Sequence, residues 1–111
     1  MRHTVSIKTN GEFRSMYARG KNAAGVYLAV YARRNRSGLL RLGLTVSSKI
    51  GNAVVRNRTR RRIREAYRLR EEMFSPGYDI VIVARGRAVE APFEALQREL
   101  VALCRKLGAV S

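Results

Sequence analysis

The sequence predicts an α+β fold, an α-β sandwich whose helices pack on one small sheet in the order helix, strand, strand, helix, strand, helix. Two periodicities and a length predict it. Apolar residues alternate with polar or small ones across 26–32 and 40–46, as in half-buried strands, and run unbroken through Ile80-Val81-Ile82-Val83-Ala84, as in a strand covered on both faces. They recur at three- and four-residue spacing through 13–17, 55–67 and 93–107, which is the helical period. At 111 residues the chain suits a single domain, residues 1–111, because chains divide into separate cores only at greater length.

The first helix opens on Thr9-Asn10-Gly11-Glu12, a capping box in which a hydroxyl and a carboxylate three residues on satisfy helix-start amides reciprocally. Phe13, Met16 and Tyr17 then share one side, Arg14 faces elsewhere, and Gly20 is placed to stop the helix. The first strand puts Val26, Leu28, Val30 and Ala32 on one face and Tyr27, Ala29 and Tyr31 on the other. A polar link, Arg33 to Gly38, leads to a second strand in which Leu40, Leu42, Leu44 and Val46 alternate with Arg41, Gly43, Thr45 and Ser47. The pair is expected to form a hairpin. From about Asn52 the period becomes helical through Val55, Thr59, Ile63, Ala66 and Tyr67, and this long helix is expected to end before Ser75-Pro76-Gly77. A buried strand over Tyr78–Arg85 follows. Ala91-Pro92 starts the last helix, with Phe93, Leu96, Leu100, Cys104 and Leu107 as its apolar stripe and Gly108 as its end.

Composition narrows the function. There are 23 Lys and Arg against 8 Asp and Glu, a formal charge of +15. Such an excess repels itself, so a polyanion is the expected partner, with nucleic acid ahead of an anionic membrane surface. No stretch approaches the roughly 20 apolar residues a membrane span needs, and Met1–Ser15 has no signal-peptide core. With one cysteine, Cys104, no internal disulfide can form, and the cytoplasm is the expected compartment.

The chemistry concentrates in one segment, Lys49-Ile50-Gly51-Asn52-Ala53-Val54-Val55 followed by 56–64, where six of nine residues are arginine. At 100° per residue, Asn57, Arg61, Arg64 and Arg68 lie opposite Ile63 and Ala66, flanked by Arg58 and Arg60. Like charges at this spacing destabilise a helix, and only Glu65 interrupts the cluster before Glu71 and Glu72, so the anions are expected from a partner. Arginine's rigid fork binds phosphate bidentately and lies flat on bases, which suits folded RNA. The competing reading is a solvated basic helix. Gly51 and Asn52 also suit the turn from strand into helix, a role compatible with RNA nearby. No catalytic constellation is visible: the one histidine is His3, expected in a disordered surface position, the acidic residues are scattered, and Cys104 lies on an apolar stripe where a small core residue is expected.

Lys49-Ile50-Gly51-Asn52-Ala53-Val54 before Arg56-Asn57-Arg58 resembles the signature of the bacterial ribonuclease P protein family, an R-N-R helix after a lysine- and glycine-containing turn. The likeness extends to Gly43-Leu44-Thr45-Val46-Ser47 before the turn, to Arg61 and Arg64, and to Tyr78-Asp79-Ile80-Val81-Ile82-Val83-Ala84-Arg85 after the helix, nearly the whole chain. The family often has a second lysine where Ser48 stands and a more basic arm than Met1-Arg2-His3; Arg33, Arg34 and Arg36 are candidates to compensate. The resemblance implies that the basic helix crosses between parallel neighbouring strands in the uncommon left-handed sense, against the general rule. It implies a protein subunit of ribonuclease P that binds the catalytic RNA and the 5′ leader of precursor tRNA and raises affinity for substrate and Mg²⁺. The chemistry and most of the Mg²⁺ would belong to the RNA, with no catalytic or metal-binding residue in the chain and no obligate protein partner.

On that resemblance Lys49, Asn52, Arg56, Asn57, Arg58, Arg60, Arg61, Arg64 and Arg68 are the expected contacts to the RNA subunit, and Phe13, Tyr17 and Tyr31 line a leader cleft between the first helix and the sheet. Aromatic rings suit unpaired bases of any sequence. The residues alone leave cleft and core packing open for these aromatics, and Tyr27 is an alternative to Tyr31. A ribosomal RNA-binding protein or a stand-alone nuclease are the competing functions, and the missing acid–base cluster disfavours the second.

Overall fold

The computed structural model describes residues 3–111; Met1 and Arg2, part of the arm that is less basic than the family's, lie outside them. The capping box forms as the sequence predicts. The Thr9 hydroxyl accepts the Glu12 amide at 3.2 Å, and the Glu12 carboxylate accepts the Thr9 amide at 3.4 Å, starting helix α1, Asn10–Arg19. Gly20 ends α1 because of its size: a Cβ there would lie 2.7 Å from the Met16 carbonyl oxygen.

Five strands make one sheet: β1 Thr4–Ser6, β2 Lys21–Ala24, β3 Leu28–Arg34, β4 Leu40–Thr45 and β5 Tyr78–Ala84, in the order β1-β4-β5-β3-β2. The expected hairpin is therefore absent. β5 separates β3 from β4, antiparallel to the first and parallel to the second. The physical reason is composition: β5 is apolar on both faces and takes the centre, whereas β3 and β4 each keep one polar or small face. The link after β3 is folded by Asn35, whose amide nitrogen donates to Leu39 O at 3.0 Å and Asp79 Oδ1 at 2.8 Å. β1 and β2 are short, largely exposed edge strands that alternation did not reveal.

Helix α2, Ala53–Arg68, crosses between the parallel neighbours β4 and β5. It stops sooner than expected. Leu69 caps it, and a 3₁₀ turn at Glu71–Met73 fills the remaining chain before Ser75. Helix α3, Phe93–Lys106, follows another 3₁₀ turn, Gly86–Glu90. Ile63, Ala66 and Tyr67 of α2 and Leu96, Leu100 and Cys104 of α3 pack on the sheet face made by Leu28, Val30, Leu42, Ile80 and Ile82. Burial pushes the Cys104 thiol up to about 12, as suits a core residue and not a nucleophile. β1 is tied to the far end of α2, where the Thr4 hydroxyl meets the Tyr67 hydroxyl at 2.7 Å and Glu71. The expected loose position of His3 is corrected by the same cluster: its backbone N–H donates to Glu71 Oε2 at 3.0 Å, while its side chain is exposed.

Candidate nucleic-acid interface

The other face of the sheet carries different side chains. Tyr31 of β3, Val81 of β5 and Gly43 of β4 form one row, and Arg33, Asp79 and Arg41 form the next-but-one. Among the described residues α1 is the one helix on this face, with Ile7 beside it. Met16 is its anchor, fully buried with Ile7 and Val81. Phe13 lies directly on Gly43, where an added Cβ would meet the ring carbons at 2.7 Å. The charged row fastens the start of the helix: Arg41 pairs with Glu12 and with Asp79 at 3.4 Å, and Arg33 donates to Ser15 Oγ at 2.8 Å and stands 3.8 Å from Asp79. The Arg41 guanidinium holds the Glu12 carboxyl below the usual carboxylate range.

Beside α1 this leaves a cleft of about 550 Å³ lined by Phe13, Arg14, Tyr17, Leu44, Thr45, Val46 and Arg60, with Asn10 at its rim. A smaller hollow of about 140 Å³ continues between Ser6, Phe13, Gly43, Arg60 and Arg64. Phe13 and Tyr17 thus line a hollow between α1 and the sheet. Tyr31 does not line it; its ring meets that of Tyr17 edge-on, centroids 5.1 Å apart at 72°, and so supports Tyr17 from behind. The Tyr17 hydroxyl also lies 2.6 Å from Thr45 Oγ1. Tyr27, the alternative, precedes β3 and packs half-buried against the opposite, main core. Arg14 also lines the cleft, a place that its position away from the apolar stripe of α1 does not reveal.

Asn52 caps α2, its Oδ1 accepting the Val55 amide at 3.0 Å, and Arg56 braces the preceding turn by donating to Gly51 O at 2.8 Å. Lys49, Asn57, Arg58, Arg61 and Arg64 are exposed, and among the described residues no carboxylate pairs with these four cations. Arg68 is exposed too but paired, its Nε 3.0 Å from both Glu65 oxygens. Arg60 donates to Asn57 Oδ1 at 3.1 Å and forms a cleft wall, so the guanidinium face and the cleft are continuous. Arg62 turns inward: it donates to Ala88 O and Val89 O at 3.3 Å each and to Ala91 O.

The loop arginines Arg33, Arg34 and Arg36 lie at or beyond the end of β3 that is away from Lys49. Arg33 is engaged as described, Arg34 stacks over Tyr78 at 5.7 Å, and Arg34 pairs with Tyr78 at the start of β5, the end of the sheet opposite Lys49. Among the described residues no group of three or more His, Cys, Asp or Glu is placed to hold a metal ion, and no helix is long and apolar enough to cross a membrane.

Residues 1–108 match the family profile described as Ribonuclease P. The chain is 41% identical to the ribonuclease P protein component of Clostridioides difficile (strain 630), over 93% of this chain and 91% of that one. It is 42% identical to that of Thermoanaerobacter sp. (strain X514), over 95% and 90%. Its fold superposes on the RNase P protein of Staphylococcus aureus with a TM-score of 0.82 at 30% identity, covering 96% of this chain and 97% of that one. For the RNase P protein from Thermotoga maritima the score is 0.81 at 28% identity, covering 90% and 96%. Agreement in sequence and fold along nearly the full length shows that the chain belongs to the bacterial ribonuclease P protein family.

Proposed function

We propose that this chain binds ribonuclease P RNA through the exposed face of α2 and holds the 5′ leader of precursor tRNA in the cleft beside α1, raising the affinity of the holoenzyme for substrate and for Mg²⁺. Membership of the family makes it the protein component of ribonuclease P, the ribonucleoprotein that matures tRNA 5′ ends. The observation that carries the finer reading is the α2 surface: Arg58, Arg61 and Arg64 are exposed with no carboxylate opposite them among the described residues. Phosphates of a partner RNA neutralise such a face and release counterions. Asn57, Lys49 and Arg60 extend the same surface, whereas Arg56 serves chiefly by shaping the turn and Asn52 by starting the helix.

The cleft suits single-stranded RNA. Phe13 and Tyr17 offer rings for stacking, Tyr31 holds Tyr17 in place, and Arg14 and Arg60 supply cations at the walls. No residue of the chain is given a catalytic role. Hydrolysis belongs to the RNA subunit and the Mg²⁺ it holds; the protein reduces repulsion between RNA strands and so lowers the Mg²⁺ needed. The site of action is the cytoplasm, where tRNA precursors are made.

The test is cleavage of precursor tRNA at low Mg²⁺ with ribonuclease P RNA alone, protein alone and the two together. Cleavage by the mixture only is expected. Protein that adds nothing to the RNA would overturn the subunit role, and cleavage by protein alone would reveal an active site in the chain. Comparing leader-bearing with leaderless tRNA then isolates the cleft, whose variants should weaken only the former.

A further inference from the structure

We propose that the hollow between the 3₁₀ turns Ser48–Ile50 and Gly86–Glu90 is a pocket for one unstacked, amino-bearing nucleobase of RNA. This rests on the reading of the chain as an RNA-binding subunit and adds a second, separate point of contact. The hollow measures about 460 Å³ and is lined by Tyr27, Ile50, Arg87, Val89, Glu90 and Pro92, within the roughly 300–1,000 Å³ typical of small-ligand sites. It lies at the end of the sheet from which α2 departs, because Ile50 leads directly into Gly51 and the cap residue Asn52.

Its walls are held in place by hydrogen bonds from behind. Arg62, the inward arginine of the cluster, donates to the carbonyls of Ala88 and Val89 at 3.3 Å and to that of Ala91, pinning one wall from behind. Tyr27 is held at both backbone ends: its amide donates to Glu99 Oε2 at 2.8 Å and its carbonyl accepts the Arg85 amide at 2.9 Å. A concavity held this firmly binds with little ordering cost.

The lining is that of a base site. Tyr27, Ile50, Val89 and Pro92 supply apolar area for a flat ring, and exposed Arg87 supplies a cation for the attached phosphate. Glu90 is the informative residue. It is exposed, has no ion pair among the described residues, and lines a pocket on a chain of charge +15 that meets a polyanion. A carboxylate there repels phosphate, yet it is the acceptor that the amino groups of guanine, cytosine or adenine require; uracil has no amino group to give it.

That opposition makes the test one of sign. If Glu90 acts only as a charge, Glu90→Ala tightens RNA binding. If it accepts from a base, Glu90→Ala weakens binding roughly tenfold, the size of a hydrogen bond to a charged group, without changing the salt slope, and Glu90→Gln, which keeps an acceptor oxygen, recovers most of the loss. Affinity is measured for ribonuclease P RNA and, with the assembled holoenzyme, for leader-bearing and leaderless precursor tRNA. Loss in the first assay assigns the base to the RNA subunit; loss only with leader-bearing tRNA assigns it to the leader. As a direct probe, guanosine monophosphate should shift the amide resonances of Tyr27 and Ala88–Glu90, and uridine monophosphate, with a single ring N–H and no amino group, should shift them less at the same concentration. Unchanged or tighter binding in both assays, with Arg61→Ala still weakening assembly, would overturn the pocket and leave the RNA-binding reading intact. If the unaltered protein binds neither RNA, both readings fall together.

Discussion

The two faces of the sheet alternate along the same strands, yet one is sealed and the other is left open. On the sealed face Val30, Ile80 and Ile82 have no exposure at all, covered by two helices whose own apolar stripes are broad. On the other, one ten-residue helix reaches the sheet through Met16 and Phe13, and the strands present tyrosine, threonine, glycine and a charged row in place of leucine and isoleucine. Closure of the first face holds the fold. Incomplete closure of the second leaves the cleft beside α1, proposed above as the leader site, and ion pairs around Asp79 hold the covering helix where apolar contact is scarce.

The contrast can be broken from the sealed side first. Ile82→Ala should cost about 2–5 kcal/mol of stability through the cavity it leaves, read as a lower urea midpoint, with leader-bearing and leaderless tRNA still bound in their original ratio. Gly43→Ala crosses from one side to the other. Its methyl collides with the Phe13 ring, so about 1–3 kcal/mol of overpacking should accompany a selective loss of leader affinity, separable by comparing the melt with the binding assay. Tyr17→Ala gives up the edge-on contact with Tyr31 and the Thr45 contact, about 1 kcal/mol of stability, less than Gly43→Ala because the residue is 39% exposed, while leader binding weakens by about 1–3 kcal/mol. Equal loss with leaderless tRNA would contradict the cleft. The smallest effect at moderate salt belongs to Arg61→Ala, which should lower the slope of log K against log salt for the RNA subunit by about one.

Much of this was written in the residues. Helix starts were legible because Thr9, Glu12 and Asn52 satisfy particular amides, and the core face of α2 because its period is regular. Strand order was not. Adjacent strands usually pair, and nothing local in β3 or β4 says that a segment some forty residues later will come between them; the one available sign was that Ile80–Ala84 is apolar on both faces. β1 and β2 are too short to show a period. The roles within the arginine run were equally hidden, since a helical wheel separates Arg61 from Ile63 but cannot see that Arg62 finds carbonyls to bind or that Arg60 reaches the cleft. Alternation places Tyr31 on the face that α1 covers, but it cannot show that the ring stands behind Tyr17 and outside the lining of the cleft.

The central place of β5 also bears on how the chain is made. β3 and β4 touch only through it, so residues 3–77 contain no more than the β2–β3 and β1–β4 pairings. Synthesis runs from the N-terminus, and the arginine helix is therefore finished before the strand that closes the sheet over it. For that interval a nascent segment with an unneutralised guanidinium face lies beside ribosomal RNA, and a released fragment ending at Gly77 should be protease-sensitive, RNA-binding and unfolded.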